Sequence, residues 1–129
     1  MNKRATTILA AMLLALPALA DNLIAEWWGA LPDHAVAGYR LEAWRPETGI
    51  TNRYLVGKVA STNDPSLYQG TMLGLATSVT YQVTVVAISH TGREVPMVDP
   101  VSVWTGDVYW PDGSTLRIIG WEAGGSVGQ

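Results

Sequence analysis

Cysteine and phenylalanine are both absent from this 129-residue chain. Without cysteine there is no disulfide, no thiolate ligand for a metal and no thiol to carry a lipid after a leader, so the core alone must hold the fold. Without phenylalanine, the large apolar surfaces fall to six Trp and five Tyr, rings that carry a polar group as well as area. Histidine is scarce: His34 and His90 stand apart, both in expected loops, and each reads as solvated or structural rather than as a metal ligand. No Gly-x-Ser-x-Gly and no glycine-rich phosphate loop occurs. Helical periodicity and internal repeats are also missing beyond the first twenty residues.

Those twenty residues have the make-up of a secretory leader. Lys3 and Arg4 form a basic start, residues 8–16 an apolar run, and Ala18-Leu19-Ala20 a small-residue cleavage pattern. The run is too short for a comfortable membrane span. A signal peptide over residues 1–20, cleavage after Ala20, no stable membrane span and an exported location, periplasmic or secreted, are therefore expected. With Lys3 and Arg4 removed, six of the eight basic residues stand against eleven acidic ones, a net of −5. An acidic domain with no cluster of Lys and Arg is no partner for nucleic acid.

What is abundant is period-two alternation. Leu23, Ala25 and Trp27 share one parity, which turns Trp27 inward and Trp28 outward. Tyr39, Leu41 and Ala43 repeat the pattern after a loop over residues 29–37, and Pro46 to Gly49 make a turn. Residues 54–59 and 68–75 read as further strands. Tyr81, Val83, Val85 and Ala87 alternate next, then a turn around Gly92, then Val101, Val103 and Thr105. Beyond Gly106, Pro111-Asp112-Gly113 predicts the turn of a hairpin whose second arm is residues 114–121, and the glycine-rich residues 122–129 are expected to fray.

Within this pattern, Leu75 six residues ahead of Tyr81 looks like a tyrosine corner, in which the phenol hydroxyl bonds a backbone group upstream. The block from Leu75 to Thr105 resembles the last three strands of a fibronectin type III domain. Trp27, Gly38-Tyr39, Leu75, Tyr81, Ala87, Gly92-Arg93-Glu94 and Thr105 stand in that family's order, over residues 23–105. The resemblance implies an all-β, antiparallel, immunoglobulin-like sandwich over residues 21–105, with a hairpin and flexible tail over 106–129. It also implies structural roles for Trp27, Tyr39, Leu75 and Tyr81. Thr77 and Val79 depart from the family, which usually has Pro and Thr there. The loop from His90 to Glu94 lacks the Arg-Gly-Asp of integrin-binding members, so no adhesive role carries over.

The larger departure is a missing first strand. The strand bearing Trp27 would then show an unpaired edge, and residues 114–121 are the spare stretch able to fill it, running antiparallel. Filling can occur within the molecule, favoured by effective concentration, or in a neighbour by strand donation.

Paired carboxylates, Glu42 with Glu47 or Asp99 with Asp107, are the remaining enzymatic option, and strand or turn positions make them solvating charges instead. Asp64, Asp99 and Asp112 fit turns, where an Asx side chain bonds its own backbone. Neither catalysis nor a cofactor is expected. Candidate binding residues are the rings that cannot all be core: Trp28, Trp44, Trp104, Tyr109, Trp110 and Trp121. The function expected is an exported, non-catalytic binding or assembly module, meeting a protein partner or a second copy through sheet edges and exposed Trp. The alternative is a carbohydrate-binding accessory domain that stacks sugars on Trp104, Trp110 or Trp28.

Overall fold

The computed structural model describes residues 19–110 and 116–126, so residues 1–18 of the expected leader and the expected Pro111-Asp112-Gly113 turn lie outside the described residues. Eight strands follow in chain order: β1 (Leu19–Trp28), β2 (Val36–Trp44), β3 (Thr51–Val56), β4 (Leu67–Ala76), β5 (Thr80–Ser89), β6 (Glu94–Pro96), β7 (Val101–Trp104) and β8 (Leu116–Ser126). Among the described residues the remaining regular element is a single 3₁₀ turn, Asp33–Ala35. No helix among the described residues is long and apolar enough to cross a membrane.

All pairing is antiparallel, in two layers. One sheet has the order β4-β1-β8; the other runs β3-β2-β5-β6, with β7 also on β5. β6 and β7 are two pieces of one edge, parted by residues 97–100, where Met97 N–H bonds Val85 O and Thr84 Oγ1 donates to Val98 O at 2.8 Å. The inward parity of each strand makes the core: Leu23, Ala25 and Trp27 from β1, Tyr39, Leu41 and Ala43 from β2, Tyr81, Val83, Val85 and Ala87 from β5, Leu116 and Ile118 from β8. The rings of Trp27 and Tyr39 meet edge to face at 5.5 Å, a geometry the aromatic quadrupole favours. Gly70 leaves room for Trp27 and Val56, because a Cβ there would sit 2.9 Å from Val56 Cγ1 and 3.0 Å from the Trp27 ring.

The corner at Tyr81 is formed. Its hydroxyl accepts from Ala76 N–H at 2.9 Å, and Leu75 beside it is fully buried. The turn passes through Ser78 at φ 57°, and Thr105 Oγ1 braces it with bonds of 2.8 Å to Ala76 O and to Val79 O.

Three expectations are corrected. The third strand spans Thr51–Val56, not residues 54–59: the tight turn bonds Arg45 N–H to Ile50 O, so pairing resumes at once with Thr51 opposite Trp44. After β3 the backbone leaves that sheet, and residues 59–61 pair along β4 instead, with Ala60 opposite Tyr68. The first strand begins at Leu19 rather than Leu23, and residues 122–126, expected to fray, continue β8 because the longer β1 gives them partners: Asn22 opposite Glu122, Asp21 opposite Ala123, Leu19 opposite Ser126. β8 thus fills the edge of β1 within its own chain, in the antiparallel sense expected.

Glu26 ties this closure together. It points to the outer side of its sheet and yet is 0% exposed. Ser61 Oγ donates to its Oε2 at 2.6 Å, and Arg117 Nη1 of β8 donates to its Oε1 at 3.3 Å. The Arg117 guanidinium lies 5.1 Å from the centre of the Trp110 ring, which screens the pair by cation–π contact. Removing one partner of a buried pair strands the other charge. Arg117→Ala should therefore lower unfolding stability by on the order of 3 kcal/mol in denaturant titration, against under about 1 kcal/mol for the exposed pair broken by Arg45→Ala. Equal losses in the two variants would contradict a closure held through Glu26.

Candidate functional site

The six candidate rings do not form one platform. Trp44 and Trp104 share the outer face of the larger sheet, on either side of β5, facing Gln82 and Thr80 respectively; Trp104 is 48% exposed, Trp44 half-buried. Tyr109 pairs with Ile118 at the outer edge of β8 and packs on the core, as does Trp121. Trp121 opposes the buried Leu23 and donates from Nε1 to Asp107 O at 2.7 Å, so it serves the closure of the sandwich. Trp110 lies on Arg117. Trp28, 42% exposed, stands alone at the end of β1, on the wall of a cleft.

That cleft, of about 440 Å³, is lined by Trp28, Gly29, Ala30, Leu31, Asp33, Pro65, Ser66 and Tyr68. Three segments build it: the end of β1 and the loop after it, the 3₁₀ turn, and the turn that leads into β4. Gly29 is required at the junction, since a Cβ there would stand 2.6 Å from Tyr68 Cε2. The Tyr39 hydroxyl accepts from Ala30 N–H at 3.0 Å and fixes the departing loop. Across the cleft, Asp64 Oδ1 accepts from Ser66 N–H at 3.1 Å and Ser66 Oγ–H at 2.6 Å, the Asx turn expected there.

Asp33 is the polar centre. Tyr68 Oη donates to its Oδ1 at 2.6 Å, and Lys58 Nζ donates to its Oδ2 at 3.0 Å and to its backbone carbonyl at 2.9 Å. The Tyr68 hydrogen bond, then the Lys58 bond, hold the carboxyl below its ordinary range, so it is ionised at neutral pH. The same bond to Asp33 pushes the Tyr68 phenol up to about 12. Sequence reasoning missed this group: Asp33, Lys58 and Tyr68 are 25 and 35 residues apart, and the only local hint was a charged residue beside Pro32 in a loop.

A second, smaller hollow of about 270 Å³ opens on the other side of Leu31, lined by Pro32, Ala35, Val36, Ala87, Ser89, Arg93 and Val95 among others. Of the carboxylates weighed for catalysis, Glu42 and Glu47 are tied to arginines. Glu42 accepts from Arg40 Nε at 2.7 Å, and Arg40 also grips Glu94 through both terminal nitrogens; Glu47 pairs with Arg45. His34 and His90 lie exposed in turns. Among the described residues no group of three His, Cys, Asp or Glu is placed to hold a metal ion.

The Tyr68–Asp33 bond makes alkaline behaviour a direct check. The folded chain holds that proton more tightly than the unfolded chain does, so the bond's contribution is complete below the ordinary phenol value and fades as pH rises through about 12. Asp33→Ala removes the acceptor and should return one phenolate absorbance step toward the ordinary phenol range. A titration curve identical to that of the parent protein would show that the bond is not made.

No family model matches this chain, and no curated protein or solved structure matches it either.

Proposed function

We propose that this chain is an exported, non-catalytic binding and assembly module of fibronectin type III-like form, and that it assembles by adding a strand of a second copy at the edge of β3. The fold reading is supported by the corner at Tyr81 and by the strand order, in which β8 occupies the place of the family's first strand. The observation that carries the function is the state of the edges. The upper part of β4 is covered by residues 59–61, and its lower part carries a register shift where it meets β1. β8 bears the bridge to Tyr109. The edge made by β6 and β7 is split, with Pro96 ending β6 and Pro100 just ahead of β7. Such features are what natural sheets use to block pairing.

β3 has none of them. Its residues Thr-Asn-Arg-Tyr-Leu-Val contain no proline or lysine, and Arg53 reaches back along the sheet to Glu42 at 3.5 Å. Leu55 is 70% exposed on its outer face, and Tyr54 is exposed on its inner side. Two such strands meeting antiparallel about a twofold axis would join two larger sheets into one, with Leu55 of each copy against the other. Sedimentation equilibrium across a concentration series should show a monomer–dimer equilibrium. Leu55→Lys, which places a charge on the edge, should weaken it by at least about tenfold, or 1.4 kcal/mol, while Trp104→Ala leaves it unchanged. A monomeric mass at every concentration would refute self-assembly through β3.

A further inference from the structure

Beyond assembly at β3, we infer that the cleft between Trp28 and Asp33 is a binding site for a neutral pyranose sugar. Its volume of about 440 Å³ lies in the range of small-ligand sites, which are mainly apolar with a few polar groups that set orientation. The apolar part here is the ring of Trp28, backed by Pro65 and the Tyr68 ring. A pyranose with equatorial hydroxyls presents a flat face of C–H groups, and that face packs on an indole.

The polar part selects hydrogen-bond donors. The Asp33 carboxylate has four lone-pair positions, of which Tyr68 and Lys58 engage one on each oxygen. Ser66 spends its proton on Asp64 and is left with its oxygen as an acceptor. Hydroxyls spaced around a ring supply the matching donors. Because Tyr68 and Lys58 already hold the carboxylate in place, a ligand meets a fixed acceptor and orders little on binding.

Charge decides between a sugar and the other ligand that aromatic rings with a carboxylate attract, an organic cation. Lys58 Nζ, 3.0 Å from Asp33 Oδ2, neutralises the carboxylate, so the cleft offers an incoming cation no unpaired charge. One indole wall on an open cleft is also less than the enclosing set of rings that cations prefer. Anions find only Lys58, which is committed to Asp33. A neutral polyol remains.

The test is an NMR titration of isotope-labelled protein with cellobiose and with diacetylchitobiose, and separately with choline chloride. Either sugar should shift the amides of Gly29, Ala30 and Ser66 and the Trp28 indole N–H in a saturable manner. Trp28→Ala should weaken that binding at least tenfold and Asp33→Asn severalfold, with amide spectra otherwise like the parent's. Leu55→Lys, which disables the β3 edge, should leave sugar affinity unchanged, so this site and the assembly reading stand or fall separately. The inference is overturned if neither sugar shifts these signals, if choline shifts them and the sugars do not, if the shifts centre on Trp44 and Trp104, or if Trp28→Ala binds as well as the parent.

Discussion

The whole arrangement depends on the pairing of β1 with β8. Only two strands flank β1, and one of them comes from the far end of the chain, more than ninety residues away at the Glu26–Arg117 pair. Remove β8 and a strand whose inner side carries Leu23, Ala25 and Trp27 would present a row of unpaired N–H and C=O groups. Leu116 and Ile118, both fully buried, would leave the core at the same time. Backbone pairing and apolar burial therefore stand or fall together. Glu26 adds direction to the pairing: its buried carboxylate must meet Arg117, and this fixes the register of β8 on β1 where smooth alternation alone would tolerate a slip of two residues.

Closure at that edge shapes the rest of the surface. At the far end of β1, Trp28 pairs with Leu67 of β4, and it forms one wall of the cleft with the loop after it. The closure places Trp110 and Trp121 where they shield the seam: one over Arg117, the other against Asp107. It leaves β3, on the opposite side of the molecule and in the other layer, as the edge without a cover among the described residues. The assembly proposed at the β3 edge and the ligand capture proposed at the end of β1 call on different side chains, Leu55 for one and Trp28 with Asp33 for the other.

Alternation made most of the fold readable from the sequence. Trp27, Tyr39, Leu41, Ala43, Tyr81, Val83, Val85 and Ala87 all face inward as their parity predicts, and Trp28 and Trp104 face outward, because a strand's side-chain period is a local property. The antiparallel return of the C-terminal segment was also readable, from the unpaired edge it had to fill. Strand limits were less so. β1 runs back to Leu19 and β8 on to Ser126 because each supplies the other's ladder partners, a tertiary effect that overrides the glycines of the tail. Glu26 reads as a solvent-facing residue by parity, yet it is buried, with Ser61 and Arg117 brought onto its carboxylate from distant segments. Asp33, Lys58 and Tyr68 belong to three separate segments, and no spacing in the chain announces that they meet.

The most direct test of this closure uses the absence of native cysteine. Asn22 and Glu122 are opposite each other on β1 and β8, so Asn22→Cys with Glu122→Cys creates a cross-strand thiol pair that reports which chain supplies β8. Oxidation at high dilution should give a disulfide-linked monomer, identified by intact mass and by its mobility without reductant. A covalent dimer persisting through dilution would show that β8 is donated to a neighbouring copy, and free thiols in the folded protein would show that β8 does not lie on β1 at all.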